Sequence, residues 1–157
     1  MRIAVSGHRG LSADTARLVT EALRAELAAH QSPVTGLCCL ADGVDHIFAR
    51  TLTELGGRLE AVIPAEQYRE LLPAAARLEY DELLGSAAVV HRLPCPEPTD
   101  EALMAASVFM LNQADELYAV WDGLPARGHG GTSDVVAHAR EVGLPTKIIW
   151  PEGATRD

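Results

Sequence analysis

Basic charge is scarce in this chain: 13 Lys and Arg stand against 22 Asp and Glu in 157 residues, a formal net charge of −9. Nucleic-acid backbones are held largely by counterion release onto clustered Lys and Arg, so nucleic acid is disfavoured as the main ligand. A small phosphate escapes that restriction, because a few backbone N–H groups and one or two Arg hold it whatever the overall charge. Cysteine is also rare. Cys38, Cys39 and Cys95 make an odd number without paired spacing, which points to reduced thiols and a cytoplasmic setting. Cys38 and Cys39 sit in an apolar run and read as core. No apolar stretch approaches the ~20 residues that cross a bilayer; the longest spans 102–111. The opening Met-Arg-Ile-Ala-Val reads as a strand rather than a leader, so a soluble chain without membrane contact is expected. Internal repeats, low-complexity linkers and the H-E-x-x-H, G-x-S-x-G and Walker A patterns are absent as well. The six His residues are scattered, and neither a metal site nor a cofactor is expected.

What is present is alternation. The length and the 48% apolar content suit one domain over 1–157. Residues 2–6 form a β-branched run that ends in Gly7-His8-Arg9-Gly10, and Ser12 is positioned to cap a helix carrying Ala16, Val19, Leu23 and Leu27. A second apolar run at 34–40 leads through Ala41-Asp42-Gly43 into a helix that Gly56 and Gly57 stop. A third strand at 59–63 is expected to close at Pro64, followed by a mixed helical region over 66–84 with a break at Pro73. A fourth run at 87–93 passes through Pro94, Pro96 and Pro98 into a helix over 100–114, capped near Thr99 and apolar on nearly every face. Such a helix is deeply buried or lies in a subunit contact, and a homodimer is expected. A strand at 116–121, a glycine-rich loop at 122–131, a helix at 132–142 and a last strand at 147–150 complete the chain. Strands that are continuous apolar runs, alternating with helices, predict an α/β fold: a three-layer Rossmann-like domain with a mainly parallel sheet and helices on both faces.

In an open sheet of this kind ligands sit outside the carboxyl ends of the strands, where the strand order reverses. Three loops meet that description: Ser6-Gly7-His8-Arg9-Gly10, Ala41-Asp42-Gly43, and the run from Asp122 and Gly123 through Arg127, Gly128, His129, Gly130 and Gly131 to Thr132. The last is the best phosphate site. Its glycines allow close backbone approach, and the helix starting at Thr132 offers free N–H groups, with the Thr132 and Ser133 hydroxyls as further donors. An ordinary strand-to-helix turn would also use such glycines. Arg9 and Arg127 are flanked by glycine loops, where a guanidinium suits bidentate phosphate binding, as it also suits solvent. Asp42 either accepts from a ribose hydroxyl or caps the second helix. His8 and His129 are placed as ligand donors, whereas His46 and His138 lie in predicted helices. No carboxylate pair declares itself as a general acid and base.

Taken together, Ser6-Gly7-His8-Arg9, Ala41-Asp42-Gly43-Val44-Asp45, and Asp122-Gly123 followed by Gly130-Gly131-Thr132-Ser133-Asp134 resemble the SLOG superfamily of Rossmann-like proteins. That superfamily groups the DNA-processing protein A domain with LOG-type phosphoribohydrolases, which remove the base from nucleoside 5′-monophosphates. The resemblance implies a nucleotide or nucleotide-derived ligand with its phosphate on the Gly130–Thr132 turn and its remainder near the first two loops. It also implies a dimer. The hydrolase branch carries P-G-G-x-G-T-x-x-E, and position 135, three residues after Thr132, is Val. A binding module or sensor is therefore the leading expectation. A phosphoribohydrolase using Asp134 or Asp122 is the alternative, and a ligand-free interaction domain is the third reading.

Overall fold

The computed structural model describes residues 1–125 and 131–156. Six strands alternate with helices: β1 (Arg2–Gly7), α1 (Ala13–Ala28), β2 (Thr35–Cys38), α2 (Val44–Glu54), β3 (Arg58–Ala65), α3 (Tyr68–Leu71), α4 (Arg77–Ser86), β4 (Val89–Cys95), α5 (Asp100–Asn112), β5 (Glu116–Val120), α6 (Thr132–Glu141) and β6 (Thr146–Ile149). All strand pairs are parallel, in the order β4-β3-β2-β1-β5-β6. The α/β Rossmann-like class read from the alternation is thus the observed one.

The strand interiors are largely apolar because both faces of the sheet are covered. Ile3, Val5, Ala61, Ile63, Tyr118 and Val120 pack with Val19 and Leu23 of α1 and Phe48 and Leu52 of α2. The intervening Ala4, Leu37, Val62, Leu117 and Ala119 meet Met110 and Leu111 of α5 and Val135 and Val136 of α6. A strand that alternated polar and apolar residues would leave one of these layers facing hydroxyls or charges. The one buried acid of the strands, Glu60 near the start of β3, is held by Arg2, with Nη1 to Oε2 at 2.9 Å, and by His91 Nε2 at 3.0 Å. The Arg2 hydrogen bond outweighs desolvation and holds its carboxyl at about 2. This contribution to stability is present above the ordinary Glu range and is lost only as pH falls toward 2.

The capping signals act as anticipated. Ser12 Oγ accepts from Thr15 N–H at 3.3 Å and Thr99 Oγ1 from Ala102 N–H at 3.1 Å. After α6, Gly143 takes φ +73° and the Leu144 N–H reaches back to Ala139 O at 2.9 Å, so orphan carbonyls of the last turn are satisfied.

Elsewhere the boundaries differ from expectation. β3 does not close at Pro64 but runs through it, and its pairing with β4 shifts register between Ile63 and Ala65, where the proline has no N–H to give to the ladder. β4 likewise includes Pro94. β2 stops at Cys38 because Leu40 takes φ +57°, a left-handed conformation costing a non-glycine residue roughly 1–2 kcal/mol. The Leu40 carbonyl accepts from His46 Nε2 at 3.0 Å, and burial of the Leu40 side chain holds the strained residue in place. The mixed region after β3 resolves into α3, a 3₁₀ turn at Ala74–Ala76 following Pro73, and α4.

The order reverses at β1, which has β2, β3 and β4 on one side and β5 and β6 on the other. Two glycines set how closely the loops approach here. A Cβ on Gly7 would lie 2.5 Å from Val44 Cβ, and one on Gly43, whose φ is +85°, would lie 2.6 Å from the His8 carbonyl oxygen. That carbonyl accepts from Val44 N–H at 3.2 Å, binding the first loop to the start of α2. Gly10 also has positive φ, +62°, but faces open space. Gly10→Ala should therefore cost only the backbone term, about 1–2 kcal/mol. Gly43→Ala should cost a further ~1–3 kcal/mol for displacing backbone. Urea unfolding of the two variants measures the difference, and equal costs would show that the loops are not in contact as described.

Candidate functional site

A cavity of about 440 Å³ opens over the carboxyl ends of the central strands. Its floor is the end of β1, Val5 to Gly7. Leu103, Ser107 and Met110 of α5 form one wall. The loop after β2 contributes Cys39 and Ala41 and the first turn of α2 Asp45, and Pro64 of β3 and Tyr68 of α3 add to the lining. His8, Arg9, Gly131, Thr132 and Arg156 complete the lining.

Asp45 is the acid of this cavity. Its residue is 7% exposed, and its Oδ2 accepts from Ala41 N–H at 3.1 Å. Burial is the dominant influence and exceeds the help of the backbone N–H groups and of Arg9, so the carboxyl is pushed up to about 7. Near neutrality it can therefore present either a hydroxyl or an acceptor to whatever enters. Arg9 gives its Nε to Asp42 Oδ1 at 2.7 Å, so Asp42 neither caps α2, whose N-cap is Gly43, nor faces the cavity; it anchors the Arg9 guanidinium.

On the other side of β1, His8 Nε2 receives the Asp122 N–H at 3.2 Å and lies 3.4 Å from Asp122 Oδ1. One nitrogen cannot accept from the first and donate to the second at once. Burial pushes the Asp122 carboxyl upward, but the Leu124 N–H, His8 and Arg156 together bring it below the ordinary range. Its Oδ2 is buried and has no hydrogen-bond partner among the described residues. The His8 ring is packed edge-on against Trp150, with centroids 5.5 Å apart.

Among the residues singled out from sequence, Ser6, Gly7, His8, Arg9, Gly131 and Thr132 come together around one cavity. Asp42, Gly43 and Asp122 stand behind it, supporting lining residues, and Gly123, with φ +83°, shapes the turn after β5. Ser133 and Asp134 are half-buried on the first turn of α6 and do not line the cavity. Arg127, Gly128, His129 and Gly130 lie outside the described residues. Val135 is 1% exposed and packs in the core between the sheet and α6. Sequence reasoning missed Tyr68, Ser107 and Arg156. Their positions depend on where distant elements dock, and no local pattern announces them. Asp45 had a signal, as the last residue of the Ala41–Asp45 stretch, but only its burial sets it apart.

No protein-family model matches the chain, and no curated protein matches it by sequence. Solved structures do. DNA processing protein A from Helicobacter pylori superposes with a TM-score of 0.73 at 12% identity, over 99% of this chain and 68% of its own. The same protein from Streptococcus pneumoniae gives 0.66 at 18%, over 94% of this chain; the present chain spans 49% of its length. The Moco carrier protein of Chlamydomonas reinhardtii gives 0.53 at 16%, over 94% of this chain and 74% of its own. The chain therefore shares the Rossmann-like fold of these structures.

The Asp45 carboxyl yields a test of the cavity's electrostatics. Its folded value, about 7, lies above the unfolded value near 4, so its contribution is fully present below pH 4 and lost as pH rises through 7. Asp45→Asn retains an acceptor for Ala41 N–H but does not titrate. Relative to wild type, the variant should gain stability from pH 4 to pH 8, on the order of 1–4 kcal/mol. Parallel urea unfolding curves at the two pH values measure this. A difference that stays constant would place the Asp45 carboxyl in water.

Proposed function

We propose that the chain binds a nucleotide or nucleotide-derived phosphate ligand in the cavity over β1, as a binding module or sensor. The observation that carries this reading is the convergence of three features on one cavity at the switch point of a parallel sheet: the Ser6–Arg9 loop, the start of α6 at Gly131 and Thr132, and the buried acid Asp45. The helix start provides N–H donors and a favourable dipole for an anion. The acid and the hydroxyls of Tyr68 and Ser107 suit the hydrogen-bonding groups of a sugar or base, and Leu103 and Met110 suit its apolar faces.

The Helicobacter pylori relative is a single-stranded DNA-binding protein and the algal relative carries a molybdenum cofactor. For the present chain, a net charge of −9 favours a single small ligand over a strand. The reading includes no catalytic step. Position 135 is filled by a core valine, and Asp134 lies off the cavity. A homodimer through α5, where Met104, Val108 and Phe109 stay half-buried, belongs to the same proposal; sedimentation at micromolar concentration should show twice the 16.8 kDa chain mass.

Thermal unfolding against a panel of nucleoside monophosphates, inorganic phosphate, ADP-ribose and oligothymidylate tests the ligand class. A bound monophosphate at 100 times its Kd should add about 2.7 kcal/mol, or several degrees in Tm, with phosphate competing and the oligonucleotide without effect. Gly131→Trp should abolish the shift. No adenine should appear when AMP is incubated with the protein; release that is lost in Asp134→Asn would instead make the chain a phosphoribohydrolase.

A further inference from the structure

After β6 the chain emerges on the same side of the sheet as the cavity and turns back. Ala154 N–H bonds to Pro151 O at 3.1 Å, Gly153 takes φ +90°, and the following residues cross the N-terminal end of α1. There Thr155 and Thr15 pair reciprocally: Thr155 N–H donates to Thr15 Oγ1 at 3.0 Å and Thr15 Oγ1 donates to Thr155 O at 3.2 Å. Thr15 is 1% exposed, so its hydroxyl would be costly to leave without this partner. The next residue, Arg156, is thereby delivered into the lining of the cavity that Gly131 and Thr132 also line.

The Arg156 side chain is 16% exposed, and its described contacts are loose. Nη1 reaches Pro125 O at 3.4 Å and Asp122 Oδ1 at 3.7 Å, while Nε and Nη2 have no hydrogen bond among the described residues. A guanidinium brought out of water with most of its donor fork uncommitted is suited to a planar or tetrahedral oxyanion. Arg9, the other arginine among the described lining residues, is committed through Nε to Asp42 and lies toward Asp45.

We propose that Arg156, carried in by the strap after β6 and pinned by the Thr15–Thr155 pair, is an anion-binding residue of the cavity and takes the phosphate of the ligand together with Gly131 and Thr132. This rests on the reading of the cavity as a nucleotide-phosphate site. Arg156 is the direct contact, and Thr15 is a positioning residue that acts through the strap.

Calorimetric titration of the full chain with AMP and with inorganic phosphate, for wild type, Arg156→Gln, Thr15→Val and the double variant, tests both roles. Arg156→Gln should weaken AMP and phosphate about 10- to 100-fold. Thr15→Val should weaken AMP in the wild-type background and have no further effect on binding in the Arg156→Gln background, whatever it does to Tm. Arg156→Lys, which keeps the charge and loses the fork, should fall between. Wild-type binding with equal affinity in Arg156→Gln would overturn the role of Arg156 and leave the cavity reading standing. Absence of binding by wild type to either probe would overturn both.

Discussion

The close contact between the loop after β1 and the start of α2 governs the geometry of everything around the cavity. Gly7 lets Val44 approach β1 to a distance no side chain would permit, and Gly43 lets the backbone of the second loop lie on the His8 carbonyl. With the two loops locked, Arg9 is carried within reach of Asp42, Asp45 is turned into the cavity, and His8, also in the lining, is brought against Asp122. A fold that needed only a stable sheet would have no reason to press two backbones together at the switch point. The strained Leu40 at the end of β2 belongs to the same arrangement, since it redirects the chain from the strand into the second loop.

Charge is organised around this contact in two ways. At the amino-terminal end of the sheet, Glu60 is matched by Arg2 and His91 and its carboxyl is held low. At the carboxyl end, Asp45 is buried with only partial compensation and its carboxyl is held high. The first arrangement stabilises the fold across ordinary pH; the second is a cost that a structural role alone does not require. Perturbed carboxyls of this kind concentrate in binding and reaction sites.

Much of the architecture was legible in the sequence. Uninterrupted apolar strands announced a sheet covered on both faces, and Ser12, Thr99 and Gly143 marked helix ends where the structure has them. Pro64 misled, because a proline can be accommodated in a strand by shifting the pairing beside it. Within the site, the glycine loops and their residues could be placed because glycine, histidine and arginine in a strand-end turn add little to a core and much to a ligand contact. Asp42 was harder, since capping, ribose binding and anchoring an arginine all begin from the same residue type. Tyr68, Ser107 and Arg156 were beyond reach, for each owes its position to contacts between distant parts of the chain; Thr15 and Thr155 are separated by 140 positions.

If the cavity over β1 is where this chain meets its ligand, the amides around it must respond when that ligand is added. Chemical-shift mapping of the isotopically labelled protein titrated with AMP reads that response residue by residue. Saturable shifts should concentrate at Ser6 to Arg9, at Ala41 and Asp45, at Gly131 and Thr132, and along the strap to Arg156. Shifts confined to another surface, such as α5 or the edge strand β4, or no shift at all at millimolar AMP, would refute the assignment of the cavity as the ligand site.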